Sequence, residues 1–213
     1  MTVKAFSKES LLGTMRSLWN PRKGGIERPR ILACALEGSD RFLFCFTCEN
    51  DRRRVLTGCP WHFDKALLAL SATDGRMDPG EVSLNVQFFW IRVRGLPPLL
   101  LEDSVGELIS NIVWLYVRTD ALVSGGGLGS YLRIRVGINI DKPLRRLATV
   151  RPPDQTVAWT LEVEYEKLPH FCYYYGLLSH TGSHCALRLS GAITEVQYDD
   201  LIRVEKKEFL LRE

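Results

Sequence analysis

The chain reads as an α+β protein built on antiparallel sheets. Apolar residues recur at helical spacing in two stretches: Leu11, Leu12, Met15, Leu18 and Trp19, then Val105, Leu108, Ile109, Ile112 and Val113. Elsewhere they alternate with polar residues, most cleanly over 131–140 and 157–165, as the half-buried strands of an antiparallel sheet do. Short breaks rich in Gly, Pro and Asp separate these runs and suit hairpins and helix–strand connections.

Ser7 is placed to cap the first helix, which runs to Trp19 and stops at Asn20-Pro21, because the residue before a proline is pushed out of the helical region. Gly24-Gly25 is a turn. A strand over 31–36, a tight connection at Gly38-Ser39-Asp40 and a strand over 41–46 follow, the last with Phe42, Phe44 and Phe46 on one face. Asp51 is expected to cap a short helix through Val55 and Leu56 that Gly58 ends. The stretch from Cys59 to Phe63 reads as a turn about Pro60, with Trp61 buried where that helix meets the sheet, and 66–70 as a strand. Helix, strand, strand, helix, strand is the order of a βαββαβ unit without its first strand. Residues 1–75 are therefore expected to form a truncated RRM-like (ferredoxin-like) unit.

Arg76 to Gly80 breaks the pattern and opens a second small antiparallel α/β unit over 76–165. Its first strand, over 88–94, carries Phe89, Ile91 and Val93 on one face and Trp90, Arg92 and Arg94 on the other, and Leu96-Pro97-Pro98 ends it. Ser104 and Glu107 have capping-box spacing ahead of the second apolar stripe, and 115–117 returns as a strand. Ser124 to Ser130 is glycine-rich but lacks the Lys-Ser/Thr and the following helix of a phosphate-cradling loop. Over 131–140, Leu132, Ile134, Val136, Ile138 and Ile140 face inward, with Arg133 and Arg135 outward. Over 157–165, Val157, Trp159, Leu161, Val163 and Tyr165 stand opposite Thr160, Glu162 and Glu164. The two runs are expected to be neighbouring strands, with Arg133 and Arg135 either paired to Glu162 and Glu164 or offered to phosphate.

A length of 213 residues, 46% hydrophobic and 25% charged, suits a globular chain of one large or two small domains and excludes disorder as the main state. No run approaches ~18 consecutive apolar residues, so no membrane span is expected. The first ten positions lack an apolar signal-peptide core, which points to an intracellular protein, nuclear or cytoplasmic, with reduced thiols. Cys45 and Cys48 stand as C-x-x-C at the end of a strand-like run with no helix start between them, and read as strand thiols. The net charge of +3 is unevenly spread. Arg52, Arg53 and Arg54 cluster, and between 131 and 151 Arg133, Arg135, Lys142, Arg145, Arg146 and Arg151 stand against Asp141 alone. A local basic surface suits phosphate contact; a solvated face is the plainer alternative.

Residues 166–186 hold the most specific signal. Cys172, His180 and Cys185 occupy the first, third and fourth positions of C-x2-C-x4-H-x4-C, the spacing of a zinc knuckle, and Tyr175 takes the second cysteine's place. Such a segment folds because the metal supplies what its small core cannot. Gly176 suits the tight turn between ligands. A phenol with an ordinary pKa near ~10 is a poor ligand beside a thiolate at neutral pH. Water, His184 or His170 are the alternatives for the fourth place, and a metal-free aromatic turn is the competing state of the segment. Phe171 and Tyr173 are placed to stack on unpaired bases. Residues 187–213 form a tail.

Several blocks read together: 42–46, 51–56, 60–64, 89–93, 95–97, 132–136, 141–144 and 165–169, followed by the knuckle spacing. In this combination the chain resembles a plant family that joins a domain of unknown function to a CCHC zinc knuckle. Members of that family are similar to the nucleic-acid-binding first open reading frame product of LINE-type retrotransposons. The resemblance spans the chain from the first helix to about Cys185. It departs from the family's pattern at the missing N-terminal strand, at Tyr175, and at Ser179, where a glycine is common before the histidine. Gln197 to Arg203 resembles a drifted form of a short motif that follows the knuckle in relatives.

Together these readings predict a non-catalytic protein that binds RNA or single-stranded DNA without strong sequence preference. Arg92, Arg94, Arg133, Arg135, Arg145 and Arg146 are the expected phosphate contacts, with Phe171 and Tyr173 for stacking and zinc on Cys172, His180 and Cys185. The rival is a metal-free protein-interaction remnant. No nucleophile–base pair or carboxylate dyad stands at motif spacing, so no catalytic residue, small-molecule substrate or membrane partner is expected; self-association is left open.

Overall fold

The computed structural model describes residues 6–19, 31–120, 131–151 and 158–204. Asn20-Pro21, Gly24-Gly25, the loop from Ser124 to Ser130 and Val157 lie outside these residues.

Helix α1 (Lys8–Trp19) buries Leu11, Met15 and Trp19 along one face. The Ser7 hydroxyl caps it by accepting from the Ser10 amide at 3.2 Å. Strands β1 (Leu32–Ala35) and β2 (Phe42–Cys45) form an antiparallel hairpin in which Ala35 faces Phe42. Helix α2 (Glu49–Thr57) begins before the expected Asp51, with Cys48 at the N-cap and no side-chain cap bond. Gly58 ends it by donating its amide to the Arg54 carbonyl at 2.9 Å. The stretch expected as a turn about Pro60 is instead a strand: β3 (Trp61–Phe63) pairs with β4 (Ala66–Leu68). The turn sits at Asp64 and Lys65, both at positive φ (48° and 66°), as the right-handed twist of a two-residue hairpin demands. These elements share one apolar cluster of Leu11, Met15, Trp19, Ile31 and Val55, with Phe42, Phe44, Phe46 and Trp61 packed against it.

The larger sheet holds β5 (Val86–Arg94), β6 (Leu115–Thr119), β7 (Tyr131–Asn139), β8 (Leu147–Val150) and β9 (Trp159–Tyr165). Its order is β6-β7-β5-β9-β8, antiparallel throughout. One face buries Phe89, Ile91 and Val93 from β5, Leu132, Ile134, Val136 and Ile138 from β7, and Leu161, Val163 and Tyr165 from β9. Each such side chain contributes roughly 1.5–3 kcal/mol of transfer free energy. Helix α3 (Asp103–Val113) inserts Ile109 into this core, but Leu108 and Ile112 of the expected stripe are exposed. Glu102 holds the N-cap position and Ser104 lies inside the helix, so the expected capping box does not form. The last elements among the described residues are short helix α4 (Ala186–Leu189) and a 3-10 turn over Asp200–Ile202.

The fold is α+β with antiparallel sheets. In the N-terminal part, however, β1–β2 and β3–β4 are two separate two-stranded sheets, not the single sheet of an RRM-like unit. In the C-terminal part β5 lies between β7 and β9, so the runs over 131–140 and 157–165 are not neighbours. Arg92 and Arg94, not Arg133 and Arg135, therefore stand across from Glu164 and Glu162. Among the described residues no helix is long and apolar enough to cross a membrane.

Candidate metal centre and adjoining basic loop

Beyond β9 the chain turns at Lys167 (φ 52°) and buries Leu168, Pro169, Phe171 and Cys172. A tight hairpin follows. The Cys172 carbonyl accepts from the Gly176 amide at 2.6 Å and the Tyr175 amide at 3.3 Å, and the Cys172 amide donates to the Leu177 carbonyl at 2.8 Å. Gly176 takes φ +78°, and a Cβ there would overlap the Tyr198 ring, so both conformation and space require glycine. Cys185 lies where the 3-10 turn Gly182–His184 meets α4.

This geometry brings Cys172, His180 and Cys185 together. Their ligand atoms lie within 4.8 Å of one another. Zinc at ~2.0–2.3 Å from each ligand would hold them roughly 3.5–3.8 Å apart, so small side-chain movements close the set. His180 Nδ1 lies 3.1 Å from the Ser179 hydroxyl, while its Nε2 is buried without a hydrogen-bond partner. A buried imidazole nitrogen with no partner is costly unless something binds it, and two thiols beside it make a metal the fitting occupant. Burial raises the Cys172 thiol pKa, and hydrogen bonds from the Tyr175 and Tyr174 amides act against that rise. Those amides would stabilise a thiolate once a metal replaced its proton. Burial likewise lowers the His180 pKa, which favours the neutral, ligating imidazole.

Tyr175 is exposed. His184 is also exposed, its Nδ1 at 3.0 Å from the Ser183 hydroxyl and 3.3 Å from that of Thr181. His170 is exposed and lines a cavity of about 380 Å³ with Phe171, Tyr173, Thr181, Gly182, Asp200 and Arg203. Among the described residues no further His, Cys, Asp or Glu joins the cluster.

The hairpin is tied to the loop between β7 and β8. Leu144 donates its amide to the Gly176 carbonyl at 2.9 Å, and its own carbonyl accepts from the Tyr198 hydroxyl at 2.8 Å. The Tyr165 hydroxyl accepts from the Arg145 amide at 3.1 Å and donates to the Arg145 carbonyl at 2.9 Å. With their backbones fixed, Arg145 and Arg146 expose their side chains, the Arg146 guanidinium 5.0 Å over the Tyr198 ring.

The other arginines expected to meet phosphate are engaged inside the fold. Arg92, 1% exposed, donates to Glu166 at 2.9 Å. Arg133 donates to the same carboxylate at 2.7 Å and to Asp120 at 2.7 Å. Arg94 pairs with Glu164 at 2.7 Å. Arg135 is buried and donates to the carbonyls of Cys59 (2.6 Å) and Thr57 (3.2 Å); burial pushes its pKa down to about 10. Trp90 lies under Arg133 at 3.8 Å and Arg118 at 5.0 Å, so this sheet face is a layer of guanidinium, carboxylate and indole. Phe171 is buried and stacks on Tyr173 at 4.5 Å, and the Tyr173 hydroxyl donates to Asp200 at 2.6 Å. Phe171 therefore offers no open ring, and Tyr173 only a half-buried one.

Sequence reading missed Glu166, which gathers two arginines, and Tyr198, which seals the hairpin. The drifted motif over 197–203 was the available signal for Tyr198. Glu166 carried none, because its partners are remote in sequence. Comparison with known protein families, characterised proteins and solved structures finds no match.

Proposed function

We propose that this chain binds single-stranded nucleic acid, RNA or DNA, as a non-catalytic, intracellular protein. The reading rests on the Leu144–Gly176 hydrogen bond, which sets the exposed Arg145 and Arg146 beside the Cys172–His180–Cys185 hairpin. Cationic loop and metal-type turn are then joined through Leu144, Gly176 and Tyr198. Arg145 and Arg146, with exposed Lys142 near them, are the phosphate contacts; the exposed Tyr175 on the same hairpin is the ring best offered to a base. Arg92, Arg94, Arg133 and Arg135 contribute to the local field but keep their partners inside the fold.

Zinc suits the donor set, and when bound it would cross-link the hairpin at Cys172 to the turns that carry His180 and Cys185. The strand order supports an RRM-like relation in the C-terminal part. There β5, α3, β6 and β7 followed by β9 beside β5 give the sheet order of a ferredoxin-like unit without its second helix. An origin in the plant retroelement-derived family of CCHC knuckle proteins accords with both features.

Anisotropy titration of labelled single-stranded RNA and DNA with the full chain, zinc-loaded and then chelated, tests this function. Binding of both at low salt that weakens on chelation is expected. Absence of binding by the zinc-loaded chain at low salt would leave the protein-interaction remnant as the reading.

A further inference from the structure

We infer that a metal held by Cys172, His180 and Cys185 takes its fourth ligand from outside the chain, a monodentate sulfur or aromatic-nitrogen donor; this rests on the zinc reading above. Zinc in a structural setting takes four ligands. The described residues bring three donor atoms within 4.8 Å of one another and no fourth His, Cys, Asp or Glu. Neither spare histidine belongs to the cluster: His184 Nδ1 lies against the Ser183 and Thr181 hydroxyls, and His170 lines the neighbouring cavity with Thr181 and Gly182.

Tyr175 holds the position that the spacing assigns to the missing ligand. The residue is 36% exposed. A phenol is a poor zinc ligand beside a thiolate. Cys172 and Cys185 are buried, whereas His180 is only half-buried and Tyr175 lies on the exposed turn. The least buried flank of the cluster is the His180 and Tyr175 side, where an outside donor would approach, although the His180 Nε2 atom is itself buried.

The chemistry sets the class of donor. Two thiolates and a neutral imidazole bring a divalent ion to zero net charge, so either a neutral or an anionic fourth donor can join. The guanidinium groups of Arg145 and Arg146 on the adjoining loop favour the anionic one. A borderline-soft ion with sulfur and nitrogen ligands selects further sulfur or nitrogen over carboxylate.

The test uses the full chain loaded with one equivalent of cobalt(II), whose visible absorption reports ligand type and number. The probes are 2-mercaptoethanol and imidazole. In wild type and Tyr175→Phe alike, each probe is expected to shift and intensify the absorption saturably. Tyr175→Cys is expected to show from the start the spectrum of wild type saturated with 2-mercaptoethanol, and no response to either probe. Cobalt bound with no response in wild type, or a wild-type spectrum that Tyr175→Phe abolishes, would overturn the outside ligand and leave the metal site standing. Failure of wild type to bind cobalt at all would overturn both. The wild-type and Tyr175→Phe arms decide the matter even where Tyr175→Cys does not fold.

Discussion

The Tyr198 ring occupies the space that a side chain on Gly176 would need, and its hydroxyl donates to the Leu144 carbonyl at 2.8 Å. One tyrosine from the tail thus closes the metal-type hairpin onto the loop that carries Arg145 and Arg146. Gly176→Ala meets two penalties, a left-handed φ of +78° and overlap with that ring. Left-handed strain costs about 1–2 kcal/mol and overpacking about 1–3 kcal/mol. A loss of roughly 2–4 kcal/mol is expected in reversible denaturant unfolding, together with weaker metal retention. Unfolding indistinguishable from wild type would mean that the hairpin is not docked as described.

Glu166 is the shared acceptor of Arg92 and Arg133. Burial raises its pKa, but the hydrogen bonds and charges of Arg133 and Arg92 outweigh burial, and the net shift is downward from 4.5. The folded pKa lies below the unfolded one, so this carboxylate stabilises the fold fully above the unfolded pKa. The contribution is lost as pH falls through the folded value. Glu166→Gln removes the charge that Arg92 and Arg133 share, while Arg133 keeps Asp120, and is expected to cost about 3–5 kcal/mol at neutral pH. The variant should also lose part of the wild-type decline in stability below pH ~4.5, the ordinary carboxylate value. Parallel stability–pH curves for the two proteins would show that Glu166 does not carry this linkage.

The strands with long alternating patterns were legible in the sequence: Phe89, Ile91 and Val93, then Leu132 to Ile138, and Leu161 to Tyr165. Their partners were not. Alternation tells which side chains face the core but not which strand lies beside which, so the insertion of β5 between β7 and β9 was invisible. Strand β8 escaped because Ala148 and Val150 offer only two buried positions inside a basic stretch. The turn about Pro60 misled because Pro usually punctuates, whereas the bend is supplied one strand later by Asp64 and Lys65. At the site, fixed ligand spacing made the Cys172–His180–Cys185 cluster legible. Arg92 and Arg135 looked outward by alternation, yet a sheet face covered by other elements buries both sets of side chains.

Trp61 joins α2 to the aromatic cluster. Its Nε1 donates to the Val55 carbonyl at 2.8 Å, and its ring meets that of Trp19 edge-on at 5.8 Å. The side chain is half-buried. Trp61→Ala is expected to lose about 3 kcal/mol, the low end for an aromatic truncated to alanine. Trp61→Phe keeps most of the packing and removes one donor, for a loss of about 1–2 kcal/mol. Chemical denaturation followed by circular dichroism measures both, and losses below about 0.5 kcal/mol for Trp61→Ala would place the indole outside the load of the cluster.

Arg145 and Arg146 make the most discriminating pair for the binding proposal, because their backbones are fixed by Tyr165, Val163 and Leu144 while their side chains are exposed. Replacing both with alanine should therefore leave folding intact. For single strands the log–log dependence of affinity on salt has a slope of about −0.7 per phosphate neutralised, so losing two contacts should make the slope shallower by ~1.4. Phosphate contacts carry no base information, and affinity for unrelated sequences should fall in parallel. Anisotropy titrations of labelled single-stranded RNA at several salt concentrations give the slope directly. A slope that survives the double substitution would move the contact surface elsewhere, with the basic cluster Arg52, Arg53 and Arg54 on α2 next to be replaced.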